Sequence, residues 1–143
     1  MFNAGRVAMA DAVSIALSGL TAQGQRLAVS ASNIANIATA GAIPTAESPN
    51  SNVYKALKVS YSSLMANGTA AGVIAKVSEN PAYSTAFDPS SPYANKDGLI
   101  ALPNVDLVGE TVNVMLSKYA YKANLAVIKA EKEMLGGLLN SIT

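Results

Sequence analysis

The chain has 143 residues, with ten basic and nine acidic side chains, a formal net charge of +1, and neither histidine nor cysteine. That length suits one domain; the missing cysteine excludes disulfides and thiolate chemistry, the missing histidine removes the usual general base at neutral pH, and the balanced charge lacks the basic stripe that nucleic-acid binding requires. Half of the residues are hydrophobic, yet only two are phenylalanine and none is tryptophan, so bulky core volume is scarce.

The first predicted element is a long amphipathic helix from Ala8 to Ile37, which closes an N-terminal region of residues 1–37. Val13, Leu20, Leu27 and Ile34 recur every seventh residue, and Ala10, Leu17, Gly24 and Ala31 stand three or four positions away, the spacing of a coiled-coil seam. Leu27 is expected on the buried side of that seam. Gly19 and Gly24 interrupt the helix at a cost of about 1 kcal/mol each. The place of Gly24 in the seam favours a packing reason, whereas Gly19 reads equally well as a contact or as a neutral position. Asn33 and Asn36 read first as helix-end residues bonding nearby backbone, with a direct contact to a neighbouring subunit as the alternative. The stretch Met1 to Leu20 has Asp11, Ser14 and Ser18 scattered through it and does not read as a secretory signal. No stretch approaches the roughly 20 apolar residues of a membrane span.

Residues 38–102 form a middle region that holds Pro44, Pro49, Pro81, Pro89 and Pro92 and no helical period. Strands are predicted at Val53 to Tyr61 and at Ala71 to Val77, joined by a hairpin turn at Asn67-Gly68. Beyond Pro81 the reading is an extended loop with turns at Asp88-Pro89 and at Lys96-Asp97-Gly98. A second long helix fills residues 103–143, opening after Pro103 with Asn104 as its cap and with Asp106 and Glu110 favouring its positive end. Val105, Val108, Val112, Leu116, Ala120, Ala123, Val127, Ala130, Met134 and Leu138 mark its apolar stripe. Lys129, Glu131, Lys132 and Glu133 read as a solvated face, with a rim contact to another subunit as the alternative. The fold class expected is mainly α, with long N- and C-terminal helices paired as a coiled-coil-like hairpin and a small irregular or β middle domain.

Chemistry finds little to work with. Asp106 and Glu110 share a helix face and in principle can do acid–base work, but acids in a first turn ordinarily complement the helix dipole. No glycine-rich phosphate loop precedes Lys55, Lys58 or Lys76, and no serine sits in a nucleophile elbow. No catalytic, cofactor-binding or metal-binding residue is assigned, and the chain is read as a non-enzymatic assembly subunit.

The run SGLTAQGQRLAVSASNIANIATAG, with Leu20, Asn33, Ala35, Asn36, Thr39 and Gly41, resembles the N-terminal signature of the flagellar rod, hook and hook-filament axial proteins. The stretch from Phe87 to Gly136 resembles the basal-body rod subunits among them, with Pro103, Asn104 and Val105 matching one motif and Ala120, Tyr121, Ala123 and Asn124 another. Lys118 and Lys122 replace the usual arginine and glutamine, and Ala42 stands where many axial proteins have an aromatic residue. The resemblance implies a subunit of the proximal rod, exported unfolded through the flagellum-specific type III apparatus without signal cleavage. It implies helical stacking into a periplasm-crossing shaft whose terminal helices surround the export channel. The implied partners are other rod proteins and copies of the chain, together with the membrane-embedded basal ring and the export apparatus, and no nucleic acid or small-molecule substrate. The subunit-packing candidates are Val13, Leu17, Leu20, Leu27, Ile34, Val112, Leu116, Ala123, Val127, Met134 and Leu138. Tyr121 and Asn124 read equally as local or as intersubunit residues. The alternatives are another rod or hook component, or a soluble helical adaptor or export chaperone.

Alanine-rich helices bury little area at roughly 25 cal/mol per Å², against about 1–2 kcal/mol of backbone entropy per ordered residue. The isolated subunit is therefore expected to be partly unfolded at both ends. Amide exchange on the monomer checks this, and strong protection throughout Val13 to Ile34 and Val112 to Leu138 contradicts it.

Overall fold

The computed structural model describes residues 2–46, 52–66 and 68–142, with side chains described from residue 12 to residue 141 within that range. The expected residues Ala10, Pro49 and Asn67 lie outside the described positions or side chains. Helix α1 (Phe2–Ala35) is followed by strands β1 (Ala56–Ala66), β2 (Thr69–Asn80), β3 (Tyr83–Phe87) and β4 (Leu99–Pro103), and helix α2 (Leu107–Ile142) closes the order. Two long terminal helices with a small antiparallel β region between them agree with the mainly α expectation in its broad form.

Helix α1 contains no proline and ends just after Asn33, where the chain turns. The Asn36 side chain donates from Nδ2 to the Ser32 carbonyl at 2.9 Å, and the Thr39 hydroxyl donates to the Asn36 carbonyl at 2.7 Å. These local bonds take up carbonyls at the helix end, so the helix stops two residues before the expected Ile37. At the other helix the expected cap is corrected. Asn104 stands one residue past β4, and the Val105 amide closes a turn onto the Pro103 carbonyl at 3.0 Å. The helix can begin only after that turn, and Asp106 caps it, its Oδ1 accepting from the Val108 amide at 3.0 Å.

Strands β1 and β2 form one antiparallel hairpin, from Ala56 opposite Asn80 to Ala66 opposite Thr69, with a register shift between Leu64 and Met65. It is longer than the two strands expected, because Ser62, Ser63 and their neighbours extend the pairing without adding an apolar alternation for sequence reading to detect. Gly68 at its tip has φ +79°, the left-handed conformation that glycine adopts without a Cβ penalty.

The loop expected beyond Pro81 is also corrected: β3 and β4 pair antiparallel from Tyr83 opposite Pro103 to Phe87 opposite Leu99. The expected turns at Asp88-Pro89 and Lys96-Asp97-Gly98 lie in the connection between them. The Asn95 side chain accepts from the amides of Asp97 and Leu99 at 2.9 Å each, and the Asp88 amide closes onto the Gly98 carbonyl at 2.9 Å. On the opposite side of β4, Gly41 exchanges two backbone bonds of 2.9 Å with Ala101. Ala101 is consequently fully buried, with Ile100, Val53 and Ala56 around the same small core.

Gly41 is fixed by close approach. A Cβ added there stands 2.8 Å from the Val53 Cα and closer still to its amide nitrogen. Gly24 is the reverse case, with nothing within 4 Å of an added Cβ. Gly41→Ala is therefore expected to destabilise the subunit by about 1–3 kcal/mol, whereas Gly24→Ala stabilises it by up to roughly 1 kcal/mol through helix propensity. Urea unfolding followed by tyrosine fluorescence measures both, and equal midpoints for the two variants contradict the packing assigned to Gly41.

A polar seam beside an exposed apolar surface

The side chain of Asn33 is 1% exposed and uses its full hydrogen-bonding capacity. Its Nδ2 donates to the Leu57 carbonyl at 2.8 Å and to Glu110 Oε1 at 2.6 Å, and its Oδ1 accepts from the Leu57 amide at 2.8 Å and from the Tyr54 hydroxyl at 3.1 Å. One amide thus joins α1, the start of β1 and the first turns of α2. The network continues outward. The Ser32 and Tyr54 hydroxyls share a bond of 2.9 Å. Glu110 Oε2 accepts from Asn113 Nδ2 at 3.3 Å, and Asn113 Oδ1 accepts from Arg26 Nη2 at 2.6 Å.

These contacts belong to a seam of small and polar residues. On α1 it runs through Ala16, Gly19, Gln23, Arg26, Ser30 and Asn33, and on α2 through Glu110, Asn113, Ser117, Ala120 and Asn124. Every one of these is buried or half-buried, and the spacing alternates between three and four residues, as an a/d seam requires. The contacts Asn33 to Glu110, Arg26 to Asn113 and Gly19 to Asn124 run in opposite directions along the two helices. A Cβ on Gly19 stands 2.7 Å from Asn124 Nδ2, so Gly19 is the packed glycine and Gly24 the open one, opposite to the sequence-based emphasis. Ser117 turns its hydroxyl back to the Asn113 carbonyl at 2.8 Å, and Asn124 turns its amide to the Ala120 carbonyl at 3.0 Å. Both seam residues thereby satisfy a polar group within their own helix.

A second latch holds the β1–β2 hairpin against α1. Ser18 Oγ accepts from the Val73 amide at 3.0 Å and donates to the Ile15 carbonyl at 2.7 Å. Gly72, at φ +149°, leaves room where any Cβ meets the Ser18 side chain.

The apolar residues expected to pack lie to the side of this seam. Leu17 is 56% exposed, Leu27 42%, Leu116 49% and Leu138 50%. Val112, Val127 and Met134 are likewise exposed, as is Ala123, while Val13, Leu20 and Ile34 are half-buried. Between the helices, Gln23, Gly24, Leu27, Val114, Tyr121 and Leu125 line an open groove of about 450 Å³. Among the motif residues, Asn33 and Gly41 make tertiary contacts within the chain, and Pro103 is buried at the end of β4. Asn36 bonds local backbone, Asn104 is exposed, and Tyr121 is 45% exposed. Sequence reading passed over Ser18, Arg26, Ser30, Asn113 and Ser117. The available signal was a second heptad, of small and polar residues, one place away from the apolar one.

Among the described residues no group of three acidic, histidine or cysteine side chains could hold a metal ion, and no helix is long and apolar enough to cross a membrane. Two family models match the chain: "Flagella basal body rod protein" over residues 14–42 and "Flagellar basal body rod FlgEFG protein C-terminal" over residues 96–141. The chain is 37% identical over 132 residues to the flagellar basal-body rod protein FlgC of Escherichia coli O157:H7, covering 90% of this chain and 94% of that protein. It is 36% identical to FlgC of Salmonella typhimurium strain LT2 with the same coverage of both chains. With FlgC of Bacillus subtilis strain 168 it shares 32% identity over 86% of this chain and 91% of the relative.

Replacing Asn33 separates bonding from volume. Asn33→Ala removes the side-chain partner of the Leu57 amide and carbonyl and is expected to cost about 2–4 kcal/mol. Asn33→Asp is expected to cost more, since it sets a carboxylate against Glu110, and adding Glu110→Gln should recover part of that loss. Denaturant midpoints test this, and an Asn33→Asp variant as stable as the parent contradicts the network.

Proposed function

Because the chain belongs to the FlgC family of flagellar basal-body rod proteins and is a structural subunit of the basal-body rod, we propose that it builds the proximal rod by burying its apolar helix surfaces against neighbouring subunits. In this reading residues 1–37 and 103–143 are one axial core, a coiled-coil-like hairpin of α1 and α2 facing the export channel. Residues 38–102 form a small domain carried on its outer side. The neighbours are other rod proteins and further copies, with the membrane-embedded basal ring and the export apparatus at the base. The chain leaves the cytoplasm through the flagellar export apparatus without signal cleavage and stacks helically into the periplasm-crossing shaft that transmits torque.

The observation that carries this reading is the separation of two surfaces on the same helices. The seam inside the chain is small and polar, whereas Leu17, Leu27, Val112, Leu116 and Val127 remain outside it at 42% exposure or more. Large apolar side chains left exposed along both helices are what contacts with neighbouring subunits would cover. Torque transmission needs the outer domain and the inner helices to move together. The Asn33 and Ser18 bonds tie the hairpin to α1 at two points fifteen residues apart, which suits that task.

Leu27→Asp tests the reading. Leu27 is already 42% exposed in the isolated chain, so the variant should keep its unfolding midpoint within about 0.5 kcal/mol of the parent. In a rod the same carboxylate is forced into an apolar contact. The variant should therefore be secreted but absent from purified basal bodies. Normal rods containing it contradict the burial of this face against neighbours.

A further inference from the structure

We propose that the groove around Gly24 is the seat for the last turns of α2, residues 134–142, of a second copy of the chain. The inference rests on the rod-subunit reading and names one contact within it.

The groove has an apolar floor of Leu27, Val114, Tyr121 and Leu125, and Gly24 leaves its α1 side bare, with nothing within 4 Å of an added Cβ. Gln23, also on the groove, has a buried Oε1 with no hydrogen-bond partner among the described residues. Lys118 and Lys122, one helical turn apart and both exposed, stand along it. What fits is an apolar helix end, free of cations, that can approach closely.

This chain carries such a segment. Met134, Leu135, Leu138 and Leu139 are 49%, 47%, 50% and 68% exposed. Residues 134–142 include no charged side chain, and the last turn of α2 has no basic residue. Its terminal carbonyls therefore present an uncompensated negative dipole end, which lysines complement. Gly136 and Gly137 lie side by side inside the helix with nothing within 4 Å of an added Cβ. Two helix-interior glycines cost about 2 kcal/mol together, a loss that close approach of another backbone explains.

The two halves cannot meet within one molecule. Gly19 lies against Asn124, and counting along both helices at 1.5 Å per residue puts Gly24 and Leu138 roughly 25–30 Å apart. A groove on one copy that accepts the tail of the next is a heterologous contact. Contacts of that kind propagate into rings or helical filaments, not closed dimers, which is the geometry a rod requires.

The experiment places a benzophenone amino acid at position 24, in the open space there, in a strain whose only copy of the chain carries it. Purified basal bodies are irradiated and the adducts mapped by mass spectrometry. The expected product is a dimer of the chain joined from position 24 to residues 134–142. An adduct to another segment, an adduct to a different protein, or no adduct from assembled chain overturns the proposal while leaving the rod reading intact. Absence of the unmodified chain from basal bodies defeats the rod reading itself.

If the bulky group prevents incorporation, a charge exchange decides. Lys118→Glu with Lys122→Glu should lower recovery in basal bodies about tenfold, and adding Ser141→Lys should restore most of it. Normal recovery of the double variant, or no rescue with secretion unchanged, overturns the proposal.

Discussion

One buried side-chain amide, that of Asn33, sets how the parts of this chain meet. It makes four hydrogen bonds, two to the backbone of Leu57 on β1, one to Glu110 on α2 and one to Tyr54 in the connection before β1. A buried amide with every site satisfied tolerates little displacement, since each lost bond leaves a desolvated group at a cost of about 1–3 kcal/mol. The rotation of α1 about its own axis is thereby held. With Asn33 facing inward, Ser30, Arg26, Gln23, Gly19 and Ala16 follow on the same face at heptad spacing, and Leu27 and Leu17 are left to the sides of the seam, Leu27 along the groove beside α2 and Leu17 toward β2.

That rotation divides the energetics between the subunit and its neighbours. Hydrogen bonds of the seam contribute about 1 kcal/mol each in net terms, enough to select one register but modest as a driving force. Each large apolar side chain on the outer surface stands to contribute about 1.5–3 kcal/mol when fully covered. In the proposed rod reading the larger share of available stabilisation is held for contacts between subunits. A chain built in this way is expected to be marginal alone and ordered in company. It also avoids the competing arrangement in which α1 and α2 bury their leucines against each other and leave no adhesive surface.

Much of the architecture was legible in the sequence, because it rests on long-range periodicity and on proline placement. Both terminal helices, the hairpin with its turn near Gly68, and the turns at Asp88-Pro89 and Lys96 to Gly98 follow from local rules. Three features did not follow, for separate physical reasons. Strands β3 and β4 are paired across an eleven-residue connection and sealed by distant Gly41, information that neither YSTAF nor LIALP contains by itself. The cap of α2 moved from Asn104 to Asp106 because the turn after Pro103 delays the helix, and two cap-forming residues two positions apart are indistinguishable without that turn. The seam was read from hydrophobicity, whereas its selection rests on small size and hydrogen bonding, so the apolar heptad at Val13, Leu20 and Leu27 hid the polar one beside it. Gly41 was singled out only through family resemblance, and Asn33 was read as a helix-end residue or a contact to a neighbouring subunit. Their tertiary roles, an amide hub and a backbone close approach, depend on Leu57 and Val53, which lie beyond the helix that contains the signal.

The central claim is that the same helix surfaces exposed in the isolated chain are covered in the rod while the polar seam is unchanged. Hydroxyl-radical footprinting of the isolated subunit and of purified basal bodies measures this most directly, residue by residue. The account predicts strong oxidation of Leu17, Leu27, Leu116 and Met134 in the isolated chain and marked protection of all four after assembly, with Tyr54 beside Asn33 equally shielded in both states. Unchanged oxidation of the leucines on assembly, or exposure of Tyr54 in the rod, would contradict it.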